Sequence, residues 1–399
     1  MNNRFFRALI ASAATAALVF GATVVAPSWA VPSYPSAAEV AAAKKNVSAK
    51  KAMIARIEKI VQELAVEANK LGKVALIKGE AFNQAQDAVD SITAKVNSLQ
   101  AQADAANAEA DKAKAQLGQI AAQMYRDGTG GTSLTLFLNA SVADDLLYKL
   151  GAQEKVAQQS DTIYNRSLAK QKYAQSLTDE LAGAKTELAT KAAAAKSLFV
   201  EAQTAANAVQ VKVDANNKLN KTFYAQLAVL QNTSAELERQ RAEGLAAEAR
   251  QNAGTSKPVA PELYAVGDAD SGKVQIALDF AKAQLGERYV LGGMGPDIWD
   301  CSGITKAGYA AAGIYIGTHS ATNQFNTLAS ARKLVPLSQA QPGDLMWYSQ
   351  ESAFNGDKYH VVFYLGGDMM LEAPNPARTV RIVPLRYGEL FPYAGRPSA

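Results

Sequence analysis

The sequence predicts two architectures in one chain: a long all-α antiparallel coiled-coil hairpin, then an α+β domain whose helices pack on an antiparallel sheet. Three observations carry this. From Ile54 to Met124 the apolar positions step by three and four with a single fault, at Lys78. Aromatic residues and prolines, sparse before Pro258, are dense after it. Past Gly313 the helical periodicity gives way to short runs rich in Val, Tyr and Phe between glycine turns.

Taken in order, the chain opens with Arg4 and Arg7 and no acid, an apolar run from Ala8 to about Val25, and small residues at Ser28 and Ala30. This pattern predicts a signal peptide over 1–30 and a mature chain from Val31, secreted into a periplasm or cell-wall space. An uncleaved anchor is the competing reading.

Residues 31–250 form the predicted hairpin. The seam runs through Ile57, Val61, Leu64, Ala68, Val89, Ile92, Val96, Leu99 and Ala103 at a mean step of 3.5, the period of a left-handed coiled coil. At 1.5 Å per residue this arm spans on the order of 130 Å. The glycine-rich stretch 127–133 ends it. Leu134–Leu138 with Leu146 and Leu147 form an apolar cluster, so the tip lies near 127–148, either as a docking surface or as a small core closing the hairpin. A second arm runs from about Asp144 to Arg250 with Leu177, Leu181, Ala184 and Leu188 on one stripe. Two arms of similar length favour an antiparallel hairpin over a parallel homodimer. Alanine buries little area per residue, so the coil is expected to be only modestly stable, as suits an arm that changes partners. Residues 251–270, with Gly254, Pro258 and Pro261, read as a linker.

In residues 271–399 an amphipathic helix covers 274–285, and strands are expected at 344–348, 359–365, 369–373 and 379–383. The sole cysteine, Cys301, follows Asp300, which can cap a helix running to Gly313. A thiol at a helix N-terminus has its thiolate stabilised by the macrodipole, so Cys301 is expected to ionise below the ordinary thiol value and act as a nucleophile. Its base must be His319 or His360, the only histidines. If Gly366-Gly367-Asp368 is a three-residue hairpin loop, Val362 pairs with Glu372 and His360 is its diagonal neighbour on the same face. Glu372 could then orient the imidazole as the third member of a triad. A two-residue loop would place the two on opposite faces.

The strings Asp300-Cys301-Ser302-Gly303, Pro342-Gly343-Asp344-Leu345 and His360-Val361-Val362-Phe363-Tyr364-Leu365-Gly366 resemble, in order and spacing, the NlpC-type cell-wall cysteine peptidases, papain-like DL-endopeptidases of bacterial peptidoglycan. The resemblance covers about 271–390. It implies a papain-like catalytic domain with Cys301 as nucleophile, His360 as base and Glu372 as third residue, and Tyr289 and Ser302 as candidates for oxyanion support or substrate contact. Peptidoglycan stem peptides are the implied partner. The family's Leu-Pro-Arg before a serine is absent: Ile316-Gly317-Thr318-His319-Ser320 stands there. The coil joined to such a domain is similar in architecture to hydrolases governed by the FtsE–FtsX membrane complex at division or growth sites, which implies such a complex as partner and a coil that restrains the enzyme.

Of 41 basic and 37 acidic residues the net charge is +4, and two positive charges lie in the signal peptide, so nothing favours nucleic acid as a partner. One Cys and two distant His are poor material for zinc, and no metal or cofactor is implied. The rival readings are a CHAP-type amidase that separates sugar from peptide, and a non-catalytic activator or scaffold of wall hydrolysis.

Overall fold

The computed structural model describes residues 34–126, 143–252 and 256–399. The predicted signal peptide and the Leu134–Leu138 cluster of the expected tip lie outside them. The chain divides into two units, Met1–Met53 and Ile54–Ala399. In the first, α1 (Ala37–Ala43) opens on a capping box in which Ser36 and Glu39 satisfy each other's backbone N–H groups.

The coil consists of α2 (Val47–Arg126) and α3 (Ala143–Gln231). Cross-helix partners give their direction. Glu109 pairs with Lys170, Lys95 with Glu180, Lys78 with Glu201 and Glu67 with Lys212, so one number falls as the other rises. The helices are antiparallel. Lys78, the fault in the apolar seam, therefore reaches across to a carboxylate at 2.7 Å. Farther along, Ile92, Val96, Leu99, Ala103 and Ala106 pack against Ala174, Leu177, Leu181 and Ala184. No helix among the described residues is long and apolar enough to cross a membrane.

The second arm differs from the single helix expected to Arg250. Asn232 adopts a left-handed conformation (φ 61°), the amide of Thr233 donates back to the Ala228 carbonyl, and the Ser234 hydroxyl caps a new helix through Leu237. An Asn stop followed by a Ser cap ends α3 at Gln231 and starts α4 (Ala235–Asn252), which packs back on α3. Residues 256–270 are likewise more than a spacer. Lys257 pairs with Asp368, the Leu334 amide donates to the Tyr264 hydroxyl, and Gln341 holds both Asp268 and the Ala269 amide. This segment is strapped along the domain that follows.

That domain is α+β. Helix α5 (Ser271–Ala283) starts at the Asp270 cap, and a two-stranded parallel pair, β1 (Arg288–Tyr289) and β2 (Ile298–Trp299), leads into α6 (Cys301–Ala311). After α7 (Ala321–Ser330) come β3 (Leu334–Pro336), β4 (Leu345–Tyr348), β5 (His360–Gly366), β6 (Met369–Glu372), β7 (Arg381–Pro384) and β8 (Leu390–Gly395). They form one antiparallel sheet in the order β3-β8-β4-β5-β6-β7. Helix α6 lies on β5, and Gly308 permits the approach, because a Cβ there would stand 2.9 Å from the Phe363 ring.

The β5–β6 turn resolves the register. Gly367 and Asp368 both have positive φ, the signature of a two-residue turn, which alone would put His360 and Glu372 on opposite faces. A bulge between Tyr364 and Gly366 inserts the missing residue. Phe363 faces Leu371 and Tyr364 faces Met370, so His360 and Glu372 return to one face.

Candidate active site

The nucleophile candidate is placed by its neighbours. The Asp300 carboxylate accepts from the amides of Gly303 (2.8 Å) and Gly292 (3.0 Å), tying the first turn of α6 to the preceding loop. Gly303 is required there, since a Cβ would fall 2.0 Å from the Gly293 carbonyl oxygen. The Cys301 thiol, buried at the start of α6, accepts from the backbone N–H of Val361 and of Ser302. Strand β5 thus presents its second residue to the sulfur, one position after His360.

His360 is fully buried, with its ring 5.7 Å from that of Tyr348. Its Nε2 donates to Glu372 Oε2 at 2.9 Å, and its Nδ1 has no hydrogen-bond partner among the described residues. His360 and Glu372 are therefore paired directly, and Cys301 meets the amide of the residue that follows His360. His319 is elsewhere in the same site, with Nε2 2.7 Å from Asp300 Oδ1. Tyr289 is buried beside the thiol, and burial with the nearby Cys301 and Asp300 pushes its phenol well above the ordinary range. The Ser302 hydroxyl turns into the Asp300 network, donating to Oδ1 at 3.2 Å.

The site is also covered. Helix α2 crosses it with a stripe distinct from the coil seam: Gly72, Leu76, Gly79, Glu80, Asn83, Gln84 and Asp87. Leu76 belongs to the core of the α+β domain. Gly72 and Gly79, seven residues apart on one face, let the domain close on the helix. A Cβ at Gly72 would stand 2.7 Å from Asn375 Nδ2, and one at Gly79 would stand 3.0 Å from Leu291 Cδ1 and 3.9 Å from the Tyr289 hydroxyl. The Glu80 carboxylate is buried in a cradle at the start of α7, accepting from Ser320 Oγ (2.6 Å), Ala321 N (2.9 Å) and Thr322 N (3.0 Å). Asn83 donates to Asp300 Oδ2 (3.3 Å), Gln84 to Thr322 Oγ1 and Asp357, and Asp87 accepts from the Thr318 hydroxyl. Beyond the stripe's edge Asn69 meets Arg378 and Lys73 meets Glu389.

This cover reverses one expectation. The helix N-terminus predicts an easily ionised thiol, yet burial, together with the Asp300 and Glu80 carboxylates, pushes Cys301 well up. The covered form stabilises the neutral thiol. Burial also raises Glu80 to about 7, against the pull of its donors.

Neither the stripe nor the partners of Glu372 were read from the sequence. Two glycines seven apart inside a helix, where each costs roughly 1 kcal/mol against alanine, were the available signal for the stripe. For Glu372, the register Glu372↔Arg381 follows from β6–β7 pairing and could have named one arginine.

Residues 286–390, within the α+β domain, match the NlpC/P60 family. Over 104 residues the chain is 38% identical to peptidoglycan endopeptidase RipA of Mycobacterium tuberculosis, covering 26% of this chain and 20% of that protein. Over 119 residues it is 32% identical to the gamma-D-glutamyl-L-lysine dipeptidyl-peptidase of Bacillus cereus, covering 30% and 34%. The crystallised P60 domain of Mycobacterium avium subspecies paratuberculosis antigen MAP1204 aligns at 28% identity and TM-score 0.28, covering 32% of this chain and 96% of that one. The chain spans between 16% and 20% of the length of the first curated relatives it matches.

Proposed function

We propose that this chain is a secreted peptidoglycan hydrolase, a cysteine endopeptidase that cuts the bond from D-isoglutamate to the diamino acid of the stem peptide. Its coil restrains it until a membrane complex of the FtsE–FtsX type engages the hairpin during division or wall growth. The observation that carries the chemistry is the Cys301 thiol on the Val361 amide beside an imidazole whose other nitrogen is held by Glu372.

In this reading Cys301 gives its proton to His360 Nδ1, and the thiolate adds to the γ-carbonyl carbon. The backbone N–H of Cys301 and the Tyr289 hydroxyl receive the oxyanion. The tetrahedral adduct collapses as His360 returns the proton to the leaving amine, and a thioester remains. Water, deprotonated by the same nitrogen, adds to the thioester and releases the free carboxylate and the thiol. Ser302 helps hold the Asp300 network at the substrate's edge.

The restraint is supported by Glu80. A carboxylate of the chain's own helix fills three donors next to the thiol, and a stem peptide carries carboxylates that suit the same cradle. Substrate and Glu80 then compete for one place.

The test is digestion of purified peptidoglycan by residues 31–399, by 270–399, and by a Gly79→Leu full chain whose added side chain meets Leu291. The fragment should exceed the full chain at least tenfold, with the variant between them, if the cover is worth more than about 1.4 kcal/mol. Muropeptides with split stems are expected. Whole stems freed from sugar would overturn the bond assignment, and equal rates for fragment and full chain would overturn the restraint.

A further inference from the structure

Glu372 is shared by two guanidiniums and an imidazole. Oε1 accepts from Arg381 Nε (3.0 Å), Arg381 Nη2 (2.7 Å) and Arg386 Nη1 (3.0 Å), while Oε2 accepts from Arg386 Nη2 (2.9 Å) and His360 Nε2 (2.9 Å). Two guanidiniums, each about a quarter exposed, hold one fully buried anion, one cation more than charge balance requires. Arg386 is itself fixed. Its guanidinium lies 4.7 Å over the Tyr348 ring, and its backbone N–H donates to the Tyr348 hydroxyl, which donates in turn to the Arg386 carbonyl. Tyr348 is the ring that packs against His360.

We propose that Arg381 and Arg386 are positioning residues of the catalytic centre, holding Glu372 still and spending its negative charge so that His360 stays uncharged, with Nε2–H on the carboxylate and Nδ1 open to take the thiol proton. This rests on reading Cys301 and His360 as the reacting pair. The chemistry is specific. A bare buried carboxylate beside an imidazole favours imidazolium, which cannot accept a proton. A carboxylate shared by two fixed cations still orients the ring but no longer rewards its charging.

The groups facing the imidazole agree with this account. They are Glu372 on β6, Arg381 on β7, Arg386 after it, Tyr348 on β4 and Cys301 on α6, with Tyr359 beyond, its hydroxyl donating to Glu389 at 2.7 Å. Among the described residues, Glu372 is the anion hydrogen-bonded to the ring. Burial lowers the imidazole's affinity for a proton, Glu372 opposes this, and the two arginines reinforce it.

The test uses the full chain with 15N-labelled histidine, followed by NMR from pH 5 to 9. Two histidines give two titrations, and His319, whose carboxylate is Asp300, is the control within the molecule. Wild-type His360 should stay neutral with Nδ1 unprotonated across neutral pH. Arg386→Met should move its midpoint up by about one pH unit or more, Arg381→Met should move it in the same direction by less, and His319 should not move. Arg386→Lys, which keeps a cation without the fork, should restore most of the wild-type midpoint. If Arg386→Met does not fold, Arg381→Met, a quarter exposed at its side chain, carries the test alone. An unshifted His360 in a folded methionine variant would overturn the proposal, as would a shift in Arg386→Lys as large as in Arg386→Met. Because no substrate is needed, failure to cleave peptidoglycan would count against the peptidase reading and leave this result standing.

Discussion

Two histidine–carboxylate pairs border the segments that hold Cys301, and their imidazoles are shifted in opposite directions. His319 meets Asp300 at 2.7 Å, and His360 meets Glu372 at 2.9 Å. Burial works against charging both rings. At His319 the Asp300 charge outweighs it and the imidazole binds its proton more tightly than usual, while at His360 burial prevails. The difference lies in what else holds each carboxylate. Asp300 accepts from backbone amides, the Ser302 hydroxyl and the Asn83 amide, none of them charged, whereas Glu372 is shared with two guanidiniums that drive it well below the ordinary carboxylate range against burial. At nearly equal distance, the carboxylate shared with two cations raises its ring's proton affinity too little to offset burial. The carboxylate held by neutral donors does offset it, at a ring that is also less buried.

The sharpest way to break this comparison is to remove each ring in turn from the 270–399 fragment. His360→Ala should lower peptidoglycan cleavage about 10³-fold, the usual weight of a general base, while His319→Ala should cost only a few-fold. Comparable losses would mean that the two pairs share one role.

Next in size is Glu372→Gln. Sequence alone favours more activity in Glu372→Gln than in Glu372→Ala, because an amide oxygen can still accept from the ring. The structure adds a cost in stability. A neutral amide would face two guanidiniums and leave them uncompensated, so the full chain should lose about 3 kcal/mol of unfolding free energy in urea. A loss under about 1 kcal/mol would show that the arginines find other partners.

The smallest effect concerns Glu80. Its carboxyl titrates near 7 when buried against an ordinary value of 4.5, so the covered form holds the proton more tightly than the open one. The contribution to closure is full below 4.5 and is lost as pH rises through 7. The ratio of fragment to full-chain activity should therefore fall roughly tenfold from pH 6 to pH 8, and Glu80→Gln should flatten that dependence. A ratio that rises with pH would reverse the sign and assign the latch to another group.

How much of this was legible follows from the kind of signal each feature leaves. The Asp300 cap and the Cys301 helix are local, written in adjacent residues, and the structure has them as read. The His360–Glu372 pairing needed a parity that the loop alone does not determine, and the bulge at Tyr364–Gly366 settled it. Glu80 was illegible because a heptad pattern assigns it to a solvated face. Only the tertiary closure of the domain onto Gly72 and Gly79 turns that face inward. The break at Asn232 was local and readable, but the long run of helix formers on either side masked it.

The seven-residue interval between Gly72 and Gly79 gives the docked helix a graduated scale. A slip of α2 by one heptad, about 10 Å, would seat Gly72 where Gly79 now lies, so the backbone could settle again at the same depth. The same slip would deliver Lys73 to the three donors that hold Glu80, and an ammonium offers them nothing to bind. Shape repeats at this interval and charge does not, so the helix has one engaged register and a neighbouring one from which the cradle stands empty.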